Sequence, residues 1–219
     1  QVMTYDAGRP PSNSETGLIS MKVSQSMIKL PEDKMMPRLE DQRVGWFTLR
    51  NINYSSDKLK GDQVTFLKRW RLEPKDPAAY ARGELVEPVK PIVYSLDPAT
   101  PKKFVKWFKL GIEDWQVAFE AAGFKNAIIA KEAPSKEEDP DWSPEDARYS
   151  TVRYVASMTR NAVGPSTADP RTGEIIESDI VWFHNHLRSY RNWYLIQTGA
   201  ANPKARTLDT PEEEIGEMM

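Results

Sequence analysis

Ile92-Val93-Tyr94-Ser95-Leu96-Asp97-Pro98-Ala99-Thr100-Pro101 is the stretch on which the fold turns. Five β-type residues are stopped by Asp97-Pro98, and Thr100-Pro101 then opens a helix, with the threonine as cap and the proline at the first helical position. Beyond it Phe104, Phe108, Ile112, Trp115, Phe119 and Ala122 recur at spacings of 4, 4, 3, 4 and 3, which places all six on one helical face. Gly123 stands where a C-terminal glycine stop belongs. The spacing predicts a core helix over 100–123, its aromatic stripe serving packing rather than a cofactor.

Further on, strands are predicted at Ala127-Ile128-Ile129-Ala130, at Thr151-Val152-Arg153-Tyr154-Val155 and from Glu174 to Phe183. An acidic, proline-broken loop (Glu137 to Asp146) separates the first two, and a second helix runs from about Leu187 to Thr198, ended by Gly199. The order from residue 92 is therefore strand, helix, strand, strand, strand, helix. Towards the N-terminus, Val44–Leu49 and Val64–Leu72 flank a polar turn around Ser55 to Asp62, the pattern of a hairpin. Residues 74–91 hold four prolines and read as a surface linker at a domain boundary. The first stretch, to about Asp41, reads as extended, with one or two strands around short apolar patches such as Leu18-Ile19 and Met27-Ile28.

The bulk numbers bound the function. Of 219 residues, 39% are hydrophobic and 28% charged, a globular rather than a disordered balance. A net charge of -2 offers no electrostatic reason to bind nucleic acid. No apolar run approaches the roughly 20 residues that cross a bilayer. The absence of cysteine excludes disulfides, thiolate metal sites and cysteine nucleophiles. Gln1-Val2-Met3-Thr4 begins no signal peptide, and the chain reads as a piece of something longer.

Chemistry-bearing motifs are sparse. Gly-x-Gly-x-x-Gly, Walker-type and Gly-x-Ser-x-Gly patterns are absent. The two histidines, His184 and His186, would share a face on a strand and so could share a metal. The competing expectation is that one packs at a strand end while the other faces solvent. The acidic loop has oxygen ligands but no EF-hand spacing, so it reads as a solvated surface loop rather than a calcium site. Taken by themselves, the residues describe a soluble α+β domain with no legible active site.

Several runs nonetheless resemble one family. They are Pro88 to Pro101, Gly111-Ile112-Glu113-Asp114-Trp115, Ala118 to Phe124, Ile128 to Lys131, Asp139 to Ser150, Arg153 to Ser157, Asp169 to Ile176 and Ser178-Asp179-Ile180. Upstream, Pro37-Arg38, Arg43 to Thr48 and Arg69 to Glu73 also fit. Together, over roughly residues 27–217, they resemble large secreted bacterial zinc metalloproteases of the metzincin clan. The resemblance implies an α+β fold with two parts. Residues 1–87 form a β-rich preceding region and linker; 88–219 form the N-terminal subdomain of the catalytic domain, a twisted mixed sheet with a long packing helix.

The resemblance further implies a secreted or cell-surface location and a polypeptide substrate paired along the sheet's edge strand. Gly173 to Phe183 is then the candidate edge strand, with Ile176, Ser178, Asp179, Ile180 and Trp182 as substrate-binding residues. Of these, Ile176, Ser178, Ile180 and Trp182 would share one face. The family's His-Glu-x-x-His-x-x-Gly-x-x-His zinc motif is absent here. In the family it follows a stretch resembling Pro211 to Glu217. Zinc is therefore expected on ligands beyond Met219, in the rest of the catalytic domain, and this chain alone is expected to be inactive. Without the next helix, the sheet around Trp182 would lie partly uncovered, predicting self-association or marginal stability. The alternatives are a non-catalytic binding or assembly module with the same fold, and an unrelated metal- or glycan-binding protein using His184, His186 and the aromatic residues.

Overall fold

The hairpin comes first in the chain: β1 (Thr48–Asn53) and β2 (Asp62–Leu67) pair antiparallel, from Thr48 opposite Leu67 to Asn53 opposite Asp62. The fold is a computed structural model that describes residue 15 and residues 23–207. Leu18-Ile19 and Pro211 to Glu217 therefore lie outside the described residues. In the first stretch, Leu39 bridges Phe66 antiparallel, and Leu67 N donates to Arg38 O at 2.9 Å, adding a short third edge to the hairpin. β1 starts four residues later than its apolar run, and Val44, Trp46 and Phe47 stay exposed ahead of it. β2 ends at Leu67, and the chain then crosses to Gly173: Arg69 N donates to Gly173 O at 3.0 Å, and Ile175 N to Arg69 O at 2.9 Å.

Residues 74–91 lie largely at the surface, as expected, but they are structured and anchored rather than a plain linker. Pro77 supplies the fixed φ of the first turn of α1 (Pro77–Ala81), which Asp76 caps by accepting from Ala79 N at 2.9 Å. Val86 exchanges backbone hydrogen bonds with Gly123 and Lys125. Ala79, Val86, Phe124 and Ala127 form a small core of their own, with Leu72 and Phe119 packed against it. The prolines that suggested a linker stiffen a packed segment, so a boundary at residue 87 or 88 is bridged by core contacts.

Next come β3 (Ile92–Leu96), α2 (Lys102–Glu113), α3 (Gln116–Ala121), β4 (Ile128–Glu132), β5 (Ser150–Val155), β6 (Ala162–Val163), β7 (Ser166–Ala168), β8 (Ile175–Ser178), β9 (Ile180–Phe183) and α4 (His186–Thr198). The chain is α+β. Its main sheet is mixed, in the order β4-β3-β5-β9-β6, and only β6 runs antiparallel. β3 lies between two parallel neighbours and is buried on both faces apart from Val93, as expected for a run of apolar residues inside a parallel sheet. Phe104, Phe108 and Ile112 of α2 are buried against Ile92, Tyr94, Leu96, Ala130 and Val152 of the sheet, so the first half of the stripe does what its spacing predicts.

In the second half only Phe119 does so, packing against both cores. The helix breaks at Asp114-Trp115, and Trp115 is 64% exposed while Ala122 also faces solvent. The Gln116 side chain is held by Phe124 O and Ala127 N, which re-aims the chain towards β4 and spoils the helical phase. Thr100 is not a cap: its Oγ1 is buried without a hydrogen-bond partner, and Pro101 immediately precedes α2. Trp182 is covered rather than bare. It is 8% exposed, stacked by Tyr190 of α4 at 5.8 Å and met edge-on by Phe108 at 5.3 Å.

Candidate functional site

The predicted edge strand over 173–183 is two strands, and neither is the edge of the main sheet. β8 pairs only with β7 in a separate two-stranded sheet, and the chain turns at Asp179. β9 then enters the main sheet between β5 and β6. The reason is a return of the chain: β6 pairs Ala162 with Trp182 and Val163 with Val181, so two residues from an otherwise irregular loop take the outermost place. The alternation expected along one strand is interrupted at Asp179.

Ser178 and Asp179 are engaged by their own fold. Ser178 N donates to Ser150 Oγ at 3.0 Å and Ser178 Oγ to Pro165 O at 3.1 Å. One Asp179 carboxylate oxygen accepts from Thr151 N at 2.8 Å and Thr151 Oγ1 at 2.7 Å, and Thr151 is fully buried. This carboxylate ties the start of β5 to the start of β9. Burial, and then the Asp179 charge, push the neighbouring Glu177 carboxyl above its usual range. Asp179→Ala leaves two buried donors on Thr151 unsatisfied, and an expected loss of about 2–4 kcal/mol follows. Urea unfolding measures it, and a change below about 1 kcal/mol would contradict a structural role.

Ser178, Ile180 and Trp182 do converge, on the wall of a cavity of about 580 Å³ between α2, the sheet and the start of the segment after β2. Ile176 does not join them; it lines a second hollow of about 300 Å³ with Arg71, Lys90 and Arg148. Eight aromatic side chains line the 580 Å³ cavity, and among the described residues Lys68 is its one charged lining residue. Lys68 Nζ donates to Ser166 Oγ at 3.4 Å, and no carboxylate among the described residues lines the cavity. Burial raises the Tyr94 phenol on the same wall above its ordinary range. Sequence reasoning missed this cavity because Phe47, Lys68, Trp107 and Ser166 share no periodicity; only the tertiary fold brings them together.

One histidine is buried and the other exposed, as the competing expectation has it, but the buried one opens a helix instead of packing at a strand end. β9 ends at Phe183, so His184 and His186 are not an alternating strand pair. His184 is exposed, its Nδ1 accepting from Ser157 N at 3.4 Å. His186 begins α4 and is buried among the rings of Trp182, Tyr190 and Trp193, at 5.0, 4.7 and 6.1 Å. Its Nδ1 has no hydrogen-bond partner. No cluster of three or more His, Cys, Asp or Glu suited to a metal ion occurs among the described residues. Carboxylates of the acidic loop have protein partners instead: Asp146 with Arg148, Glu145 with Arg153 and Asp139 with the Tyr149 hydroxyl. The loop is also anchored, since Trp142 in its middle is buried.

A second feature missed by sequence reasoning is the turn from Asp169 to Gly173. Asp169 is 0% exposed, and its carboxylate accepts from Arg171 Nε at 2.9 Å and Nη2 at 2.6 Å. The Arg171 hydrogen bonds hold this carboxyl below the usual range. The only signal in the sequence is Asp-Pro-Arg-Thr-Gly, a turn composition whose burial cannot be read locally.

A family profile described as a domain of unknown function (DUF5117) matches residues 1–75, which includes the hairpin and ends before α1. No curated protein and no solved structure matches the chain. No helix among the described residues is long and apolar enough to cross a membrane.

Proposed function

We propose that the chain is the scaffold part of a secreted zinc-dependent endopeptidase of the metzincin clan, binding polypeptide substrate along its sheet rather than performing the chemistry itself. The observation that carries this reading is the order β4-β3-β5-β9-β6, with the long helix α2 packed on the face of β3 and a single antiparallel strand at the rim. It agrees with the strand-and-long-helix arrangement that the sequence resemblance implies. The rim strand is β6, so substrate addition belongs at the outer side of Ala162–Val163 rather than along 173–183. There an extended peptide would gain main-chain hydrogen bonds with little side-chain selectivity.

Zinc is not assigned to His184 and His186, whose surroundings are an exposed turn and an aromatic cluster. On this reading zinc would be held by a His-Glu-x-x-His-x-x-Gly-x-x-His segment, which these 219 residues do not contain. The test is the coding sequence after Met219 followed by assay of the longer protein. A His-Glu-x-x-His-x-x-Gly-x-x-His segment, with casein cleavage abolished by a chelator and restored by zinc, would support the reading. Continuation without those histidines, or no chelator-sensitive cleavage, withdraws catalysis and leaves a binding or assembly module on the same fold.

A further inference from the structure

The 580 Å³ cavity falls within the roughly 300–1,000 Å³ typical of small-molecule sites. Its wall is predominantly apolar and aromatic. One end of its chemistry differs: Lys68 Nζ and Ser166 Oγ stand 3.4 Å apart on the wall, a cation beside a hydroxyl. Among the described residues Lys68 forms no ion pair with a carboxylate, whereas Arg43, Arg71, Arg82 and Arg148 each do. Phe47 is 87% exposed and Trp115 is 64% exposed, and both belong to the same wall, so the apolar surface continues from the cavity to solvent. A cavity with this polarity is complementary to a molecule that is apolar along its length and anionic at one end.

We propose that the cavity binds a single-chain amphiphile with an anionic head, of the fatty carboxylate class. The head would accept from Lys68 and Ser166, and the tail would lie among Trp70, Trp107, Phe108 and Trp182. The proposal goes beyond the peptidase reading and does not depend on it, since no metal, substrate edge or cleavage enters the argument.

Gly111 provides a clean way to fill the site. It lies on α2, lines the cavity, and a Cβ added there meets nothing within 4 Å. Leucine is also the better helix former, so Gly111→Leu should retain the fold, which thermal melting checks. The second variant, Lys68→Met, keeps the stem and removes the charge. Dodecanoate and dodecanol, each below its aggregation concentration, are titrated into the 219-residue chain and followed by calorimetry and by the fluorescence of the cavity tryptophans.

The expected result is saturable one-to-one binding of dodecanoate, weakened about tenfold by Lys68→Met, the worth of one charge-assisted hydrogen bond. Dodecanol should bind more weakly than dodecanoate and be indifferent to Lys68→Met, and Gly111→Leu should abolish both. Absence of saturable dodecanoate binding overturns the proposal, as does equal binding by folded Gly111→Leu. Wild-type protein that takes dodecanol as tightly as dodecanoate removes the anionic head from it. A concentration-dependent dimer that Gly111→Leu dissociates, with no amphiphile binding, assigns the cavity to a second copy of the chain instead.

Discussion

Gly173→Ala is expected to lower the stability of the chain by about 3–5 kcal/mol, the sum of a left-handed backbone penalty and a clash that cannot relax. The residue has φ of 77°, and a Cβ built on it would sit 2.2 Å from Leu67 O and 3.0 Å from Leu67 C. Both obstacles are backbone, so no side chain can rotate away. Moving Gly173 would also disturb two bonds it makes: its N donates to Asp169 O at 2.8 Å, and its O accepts from Arg69 N. The first closes the buried Asp169 turn, and the second joins the hairpin segment to the strand that feeds β8. Gly83 is the internal control, since its φ is 82° but a Cβ there meets nothing within 4 Å. Gly83→Ala should cost only about 1–2 kcal/mol, the conformational part alone. Urea unfolding of the two variants separates the contributions. If Gly173→Ala costs no more than Gly83→Ala, the close approach of the hairpin to the Asp169 turn is wrong.

Phe108→Ala is expected to cost about 3–5 kcal/mol, in the range of large-to-small changes of a buried aromatic residue. Phe108 is buried, with its ring edge-on to Trp182 at 5.3 Å and to Tyr154 at 6.3 Å, so truncation removes contacts with two strands at once. Trp115→Ala should change stability by no more than about 1 kcal/mol, although tryptophan is the larger residue. The two positions belong to one stripe in the sequence and would be equivalent on a continuous helix. Similar losses from both would restore that continuous helix and contradict the break at Asp114-Trp115.

That comparison marks how far local pattern reaches. Phe104, Phe108 and Ile112 were legible as core because three turns of regular helix keep them in phase, and Ile92–Leu96 was legible as a buried strand because it is a short apolar run stopped by Asp97-Pro98. The hairpin and α4 were legible for the same reason: their patterns are local. Past Asp114 the outcome depended on Gln116 meeting Phe124 and Ala127, contacts made only after the chain has folded back. The prolines of 74–91 suggested punctuation, and nothing nearby showed that Val86 would be buried against Phe124.

The candidate site followed the same division. Ser178, Ile180 and Trp182 were recognisable as strand residues, whereas Asp179, expected within the same strand, lies between β8 and β9. Whether that strand was an edge depended on Ala162 and Val163, two residues with no periodicity, finding Trp182 and Val181 about twenty residues later. The role of Asp179 likewise rests on Thr151, 28 positions away. By itself the sequence determined the hairpin, the strand–helix unit at its centre, the strands β4 and β5, the helix α4 and the absence of the zinc motif, because these depend on residue identity and short-range spacing. Only the tertiary structure decided which strand is the rim, which polar groups are engaged internally and where an apolar cavity with one cation lies, because each arises from residues far apart in the chain competing for the same surface.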